Sequence, residues 1–208
     1  MRFIGRLCVL IGCLTGLVAG ARSAVPELSA QVAVESYINT LFVTIDEIRP
    51  LYMEDRQSYF LNVESALAHF VDFNEVARGV MAKYSAGPNG ASSEQLNRFA
   101  NVFKASLVEF YGSALADYKG SSFEFLPSRG VPKNPEKSTN VRMKLLDGEG
   151  GLEVQYTMFL NEERVWKLKN LYVEGINLRR QYHSRFDGLM VKSGHDIDAV
   201  IERWQLVE

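Results

Sequence analysis

Cysteine is nearly absent from this chain of 208 residues: Cys8 and Cys13 are the only two, and both stand close to the start. Beyond them no disulfide framework, thiolate metal site or cysteine nucleophile is expected. Histidine is almost as scarce. His69, His183 and His195 lie far apart with no His-Glu-x-x-His spacing, so no metal site is suggested. There is no Gly-x-Ser-x-Gly nucleophile elbow, no Gly-x-x-x-x-Gly-Lys-[Ser/Thr] phosphate cradle and no Gly-x-Gly-x-x-Gly after a strand. The usual signatures of serine hydrolases and nucleotide enzymes are therefore missing. So are repeats and low-complexity tracts, and no run of 18 uncharged apolar residues occurs, so a transmembrane helix is not expected.

What is present begins with a leader. Arg2 and Arg6 precede an apolar run at 7–20, followed by small residues up to Ala24, the pattern of a cleaved secretory signal peptide over 1–24. Leu10-Ile11-Gly12-Cys13 has the form of a lipoprotein processing site, but the apolar region continues past it, and cleavage between Ala21 and Ala24 is the expectation. Removing Arg2, Arg6 and Arg22 leaves 20 basic residues against 25 acidic ones, a net charge of about −5. A general nucleic-acid binder needs the opposite balance. Residues 25–208 suffice for one soluble domain with a sizeable core.

Apolar residues recur at helical period over 28–48, and Pro50 ends the run. Shorter helices are expected at 62–70 and 74–84, then a turn at 87–90. Ser92 and Gln95 stand at capping-box spacing before a helix reaching Tyr118, with the stripe Leu96, Phe99, Phe103, Leu107, Phe110 and Ala114. After Gly120 the period changes to two. Strands are expected at 122–126, at 141–145 and 152–160 as a hairpin, and at 164–174, where a change of phase near Asn170 reads as a β-bulge. Helices at 176–192 and 197–206 close the chain. The expected fold is α+β, a twisted four-stranded antiparallel sheet packed against a helical layer with an apolar wedge between them. His183 and Asp187 fall at i and i+4 on one helical face, where a general-base pair competes with an ordinary surface contact.

Three segments together resemble the MlaC, or toluene-tolerance, family of periplasmic phospholipid-binding proteins. They are Val71-Asp72-Phe73-Asn74 leading into Ala77-Arg78-Gly79; Glu94-Gln95-Leu96 with Phe99, Phe103, Leu107, Tyr111, Leu115 and Tyr118; and Val165-Trp166-Lys167-Leu168 followed by Val173-Glu174-Gly175-Ile176, Tyr182 and Phe186. Ser85, Asn170 and the 87–91 turn depart from the family pattern. The resemblance implies a periplasmic carrier of glycerophospholipids that maintains outer-membrane lipid asymmetry. Its partners would be an inner-membrane ABC transporter complex and an outer-membrane lipoprotein complex. It implies no cofactor and no catalysis, and a monomer is expected. Two acyl chains of about 30 methylenes would face roughly 24 kcal/mol on entering water, so such a carrier needs a deep apolar wedge.

On that resemblance the lipid-contacting candidates are Val141, Met143, Val154, Tyr156, Met158, Trp166 and Val173 on the sheet, opposite Phe99, Phe103 and Phe110. The same residues would serve as plain core in a protein without a ligand. Arg129, Lys133 and Lys137 belong to the densest basic stretch and are the candidates for partner docking, against a solvated loop as the alternative. Two other functions stay open: an enzyme acting on an apolar small molecule in the same cavity, and a module whose wedge takes a partner's helix.

Overall fold

The computed structural model describes residues 28–88, 90–118, 122–130, 132–147 and 150–204; the leader expected at 1–24 lies outside them. Helix α1, Ala30–Ile48, starts where the Ser29 hydroxyl accepts the Val32 N–H, and buries Val34, Ile38, Ile45 and Ile48. Pro50 then leads into a single turn, α2, Leu51–Glu54. Helix α3, Arg56–Phe70, begins six residues before its expected start, because the Asp55 carboxylate caps the Ser58 N–H. Helix α4 is Phe73–Met81, capped by Asp72 and followed by a 3-10 turn at Ala82–Tyr84. The capping box of Ser92 and Gln95 opens α5, Ser93–Asp117, as its spacing predicts.

The strands are β1 Ser122–Leu126, β2 Thr139–Asp147, β3 Gly150–Leu160, β4 Trp166–Val173 and β5 Ile176–Asn177. They form one antiparallel sheet in the order β1-β2-β3-β4-β5, so the sheet has five strands where four are expected. The additional strand has two residues, too few to show alternation. It exists because Glu174 and Gly175 both adopt positive φ, 49° and 77°, which closes a two-residue hairpin after β4. Helices α6, Leu178–Lys192, and α7, Ile197–Glu202, complete the chain.

Thr157 pairs with Asn170 and Met158 with Leu168, which leaves Lys169 as the extra residue of a bulge at the expected place. The bulge returns Leu171 and Val173 to the face of Trp166 and Leu168, opposite Tyr156 and Val154 of β3. Beside it, the Asp72 N–H donates to the Leu168 carbonyl at 3.1 Å, tying the α3–α4 link to the sheet.

The buried apolar residues form three clusters. One joins α4, α5, α6 and α7 around Phe99, Phe103, Phe186 and Trp204. The second lies between α1 and the sheet, around Val34, Met143, Tyr156 and Met158. The third joins α1, α3 and the end of α5 around Ile45, Tyr59 and Val108. Gly112 lets α3 and α5 close on one another: a Cβ there would lie 3.1 Å from the Phe60 ring, and the buried Tyr59 hydroxyl donates to the Gly112 carbonyl at 2.8 Å.

Candidate functional site

Where the three clusters meet, the side chains do not fill the space. A cavity of about 380 Å³ is left, floored by Leu145, Leu152, Val154, Tyr156, Leu168, Leu171 and Val173 of the sheet. Ile38, Leu41 and Phe42 of α1, Leu67 and Phe70 of α3, and Val76 of α4 wall one side. Phe103, Leu107, Tyr111, Ala114, Leu115 and Tyr118 from α5, with Leu178, Arg179 and Tyr182 from α6, wall the other. The rotation of α5 makes this possible. Its first half buries Leu96, Phe99 and Phe103, its second half buries Val108, Gly112 and Ala116, and the residues between these two faces look into the cavity.

Besides tyrosine hydroxyls, the polar side chains on the wall are Asn170 and Arg179. The Tyr111 and Tyr182 hydroxyls bond to one another at 2.8 Å. Burial first, then that bond, pushes the Tyr182 phenol well above the ordinary tyrosine range. Burial does the same to Tyr156. Both are neutral hydroxyls at any physiological pH. Burial also lowers the pKa of Lys169, whose ammonium donates to the Lys137 carbonyl at 2.5 Å.

Of the candidates taken from the sequence, Phe103, Val154, Tyr156 and Val173 line the cavity. Val141, Met143, Met158 and Trp166 are packed beneath α1 instead, where the Trp166 indole donates to the Leu28 carbonyl at 2.5 Å. Phe99 is wholly buried in the α4–α7 cluster. Phe110 is not inward at all: it is half exposed, and it rests edge-on against Tyr111. It shares a helical phase with Phe99, about 20° away on a wheel at roughly 100° per residue, but α5 has changed partners by then.

Several wall residues were not among the candidates. Tyr111, Leu115, Tyr118 and Tyr182 stand in the motifs of the family resemblance, whereas Leu41, Phe42 and Leu67 carry the same apolar pattern as ordinary core and give no separate signal. Among the described residues no hydrogen bond joins His183 to Asp187. The His183 Nδ1 lies 2.8 Å from the Val80 carbonyl, and Asp187 takes Lys83 at 2.8 Å and the Tyr84 hydroxyl at 2.7 Å. Arg129, Lys133 and Lys137 are all exposed, with Arg129 3.6 Å from Glu153. No cluster of three metal-ligating side chains occurs among the described residues, and none of their helices is long and apolar enough to cross a membrane.

The model of the family described as MlaC protein matches residues 35–206. The toluene tolerance protein Ttg2D of Pseudomonas putida is 31% identical over 155 residues, which span 74% of this chain and 69% of that protein. A phospholipid-binding protein from Ralstonia solanacearum, solved in complex with a phospholipid, has the same fold, with a TM-score of 0.73 over 84% of this chain and 93% of its own at 20% identity. With its family match running from the second turn of α1 to beyond α7, and a curated relative above 30% identity, the chain belongs to the MlaC family.

Proposed function

We propose that the protein is a periplasmic phospholipid carrier that holds acyl chains in the cavity between sheet and helices. One observation carries this reading: the junction of the three hydrophobic clusters is apolar and unfilled, with about 380 Å³ of space. Protein cores are filled to roughly three quarters of their volume, with few voids larger than a water molecule. A plain core made from these residues would have closed. A cavity of this size lies within the range of ligand pockets, about 300–1,000 Å³, and its wall suits hydrocarbon.

Family membership and the phospholipid bound to the Ralstonia protein of like fold support the same ligand class. Carriage needs no covalent step, and among the described residues the polar groups of the cavity wall are four tyrosines with Asn170 and Arg179. The finer reading is a shuttle between an inner-membrane ABC transporter complex and an outer-membrane lipoprotein complex, which maintains outer-membrane asymmetry after export and cleavage of residues 1–24. Native mass spectrometry of protein purified without detergent tests the ligand. Co-purified two-chain phospholipid is the expected result, and a chain that takes up no lipid even when offered vesicles would overturn the reading.

A further inference from the structure

Among the described residues, Arg179 is the one charged side chain on the wall of the cavity. It lies in the first turn of α6, where a cation meets the positive end of the helix dipole and no acidic residue offsets it. Among the described residues no carboxylate stands within ion-pair distance of its guanidinium, a condition it shares with Arg56, Arg180 and Arg203, none of which lines the cavity. Its stem crosses α4 at Gly79, where a Cβ would come within 2.5 Å of Cδ and 3.3 Å of a terminal guanidinium nitrogen. Glycine in a helix interior is unfavourable, and here it makes room for this one side chain.

Asn170 stands beside it. The residue is 4% exposed and lines the same cavity. Its Oδ1 accepts the Arg179 backbone N–H at 3.2 Å, which fixes the amide so that Nδ2 is the free end. No acceptor meets that Nδ2 among the described residues. An amide donor open to the cavity, next to a guanidinium with no carboxylate partner at a helix start, suits an acceptor that carries negative charge.

We propose that Arg179 and Asn170 form an oxyanion subsite that holds the phosphodiester of the bound lipid while its chains occupy the cavity. This rests on the carrier reading and adds to it a fixed place for the head group. Arg179 supplies the forked donors, Asn170 one further donor, and Gly79 the space that keeps the fork in position.

The test compares uptake by the lipid-stripped mature chain of dioleoyl phosphatidylglycerol and of dioleoylglycerol, which has the same chains and no phosphate. Wild-type protein should prefer the phospholipid by about tenfold or more, the worth of one charge-assisted contact. Arg179→Met keeps the stem and loses the charge. Asn170→Asp keeps the shape and places a rival carboxylate beside the guanidinium. Gly79→Ala keeps the arginine and displaces it. Each should bring the ratio of phospholipid to dioleoylglycerol uptake close to parity, and because the three act differently, one that misfolds does not remove the test. Variants that fold and retain the wild-type preference would overturn the subsite and leave the cavity reading intact. Wild-type protein that binds neither lipid would overturn both. Competition by millimolar inorganic phosphate should be weak, and loss of the preference in its presence would show a free-phosphate site instead.

Discussion

Val154 has its side chain on the cavity wall and is 4% exposed, while its neighbour Gln155 points to the other face of β3. An aspartate at 154 would be an unpaired carboxylate against hydrocarbon, a cost of several kcal/mol if it stays charged. Val154→Asp should therefore lose lipid, measured as lipid per protein after purification, while Gln155→Glu keeps it; full loading of the first variant would contradict the alternation. Asp187 gives a prediction in pH. Hydrogen bonds from Lys83 and Tyr84 hold its pKa below the usual aspartate value. Stability from this group is complete above the unfolded-state pKa, near 4, and is withdrawn as the pH falls through the lower folded value. Asp187→Asn should lower the melting temperature at pH 7, where the contribution is complete, and converge with the wild type below about pH 4, as thermal scans across that range would show. Neither partner of Asp187 was legible in the sequence, because Lys83 and Tyr84 lie about a hundred positions away and meet it only when α4 packs on α6.

At the scale of elements, α5 changes its buried face half-way, and the change separates residues that a helical wheel groups together. Phe103→Ala should cost roughly 3–5 kcal/mol as a buried aromatic, whereas Phe110→Ala should cost less than about 1 kcal/mol. Denaturant melts of the two variants decide whether the wheel or the packing is right. The hairpin at Glu174 and Gly175 is equally specific. Gly175 has φ 77°, so Gly175→Ala should cost about 1–2 kcal/mol through backbone strain, read as a lowered denaturation midpoint. The sequence showed the longer helices, the hairpin and the bulge near Asn170, because each has a local signature in period or capping, but not α2 or the first six residues of α3. It did not show β5, which is set by two dihedral angles, nor the division of the inward sheet face. Val141, Met143 and Met158 alternate as Val154 and Tyr156 do, and only the position of α1 decides which are covered by a helix and which by the cavity.

For the whole molecule, the exposed basic loop offers a test of the proposed handover to partners. Lys133 and Lys137 are exposed and away from the cavity wall, so reversing both charges should slow lipid delivery and flatten its salt dependence without altering lipid content. Equal transfer rates at low and physiological ionic strength would move the docking surface elsewhere. The cavity itself sets a further relation. Each of the three clusters gives part of its surface to it, so a folded but empty chain resembles a protein with several core side chains deleted at once. At about 24 cal/mol per Å³, a void of 380 Å³ corresponds to as much as about 9 kcal/mol if nothing relaxes. That is comparable with the whole stability of an ordinary domain, about 5–15 kcal/mol. On the carrier reading, cargo then governs survival as well as transport: chains without lipid would open more often, be cut first by proteases, and leave a population whose abundance follows the supply of lipid.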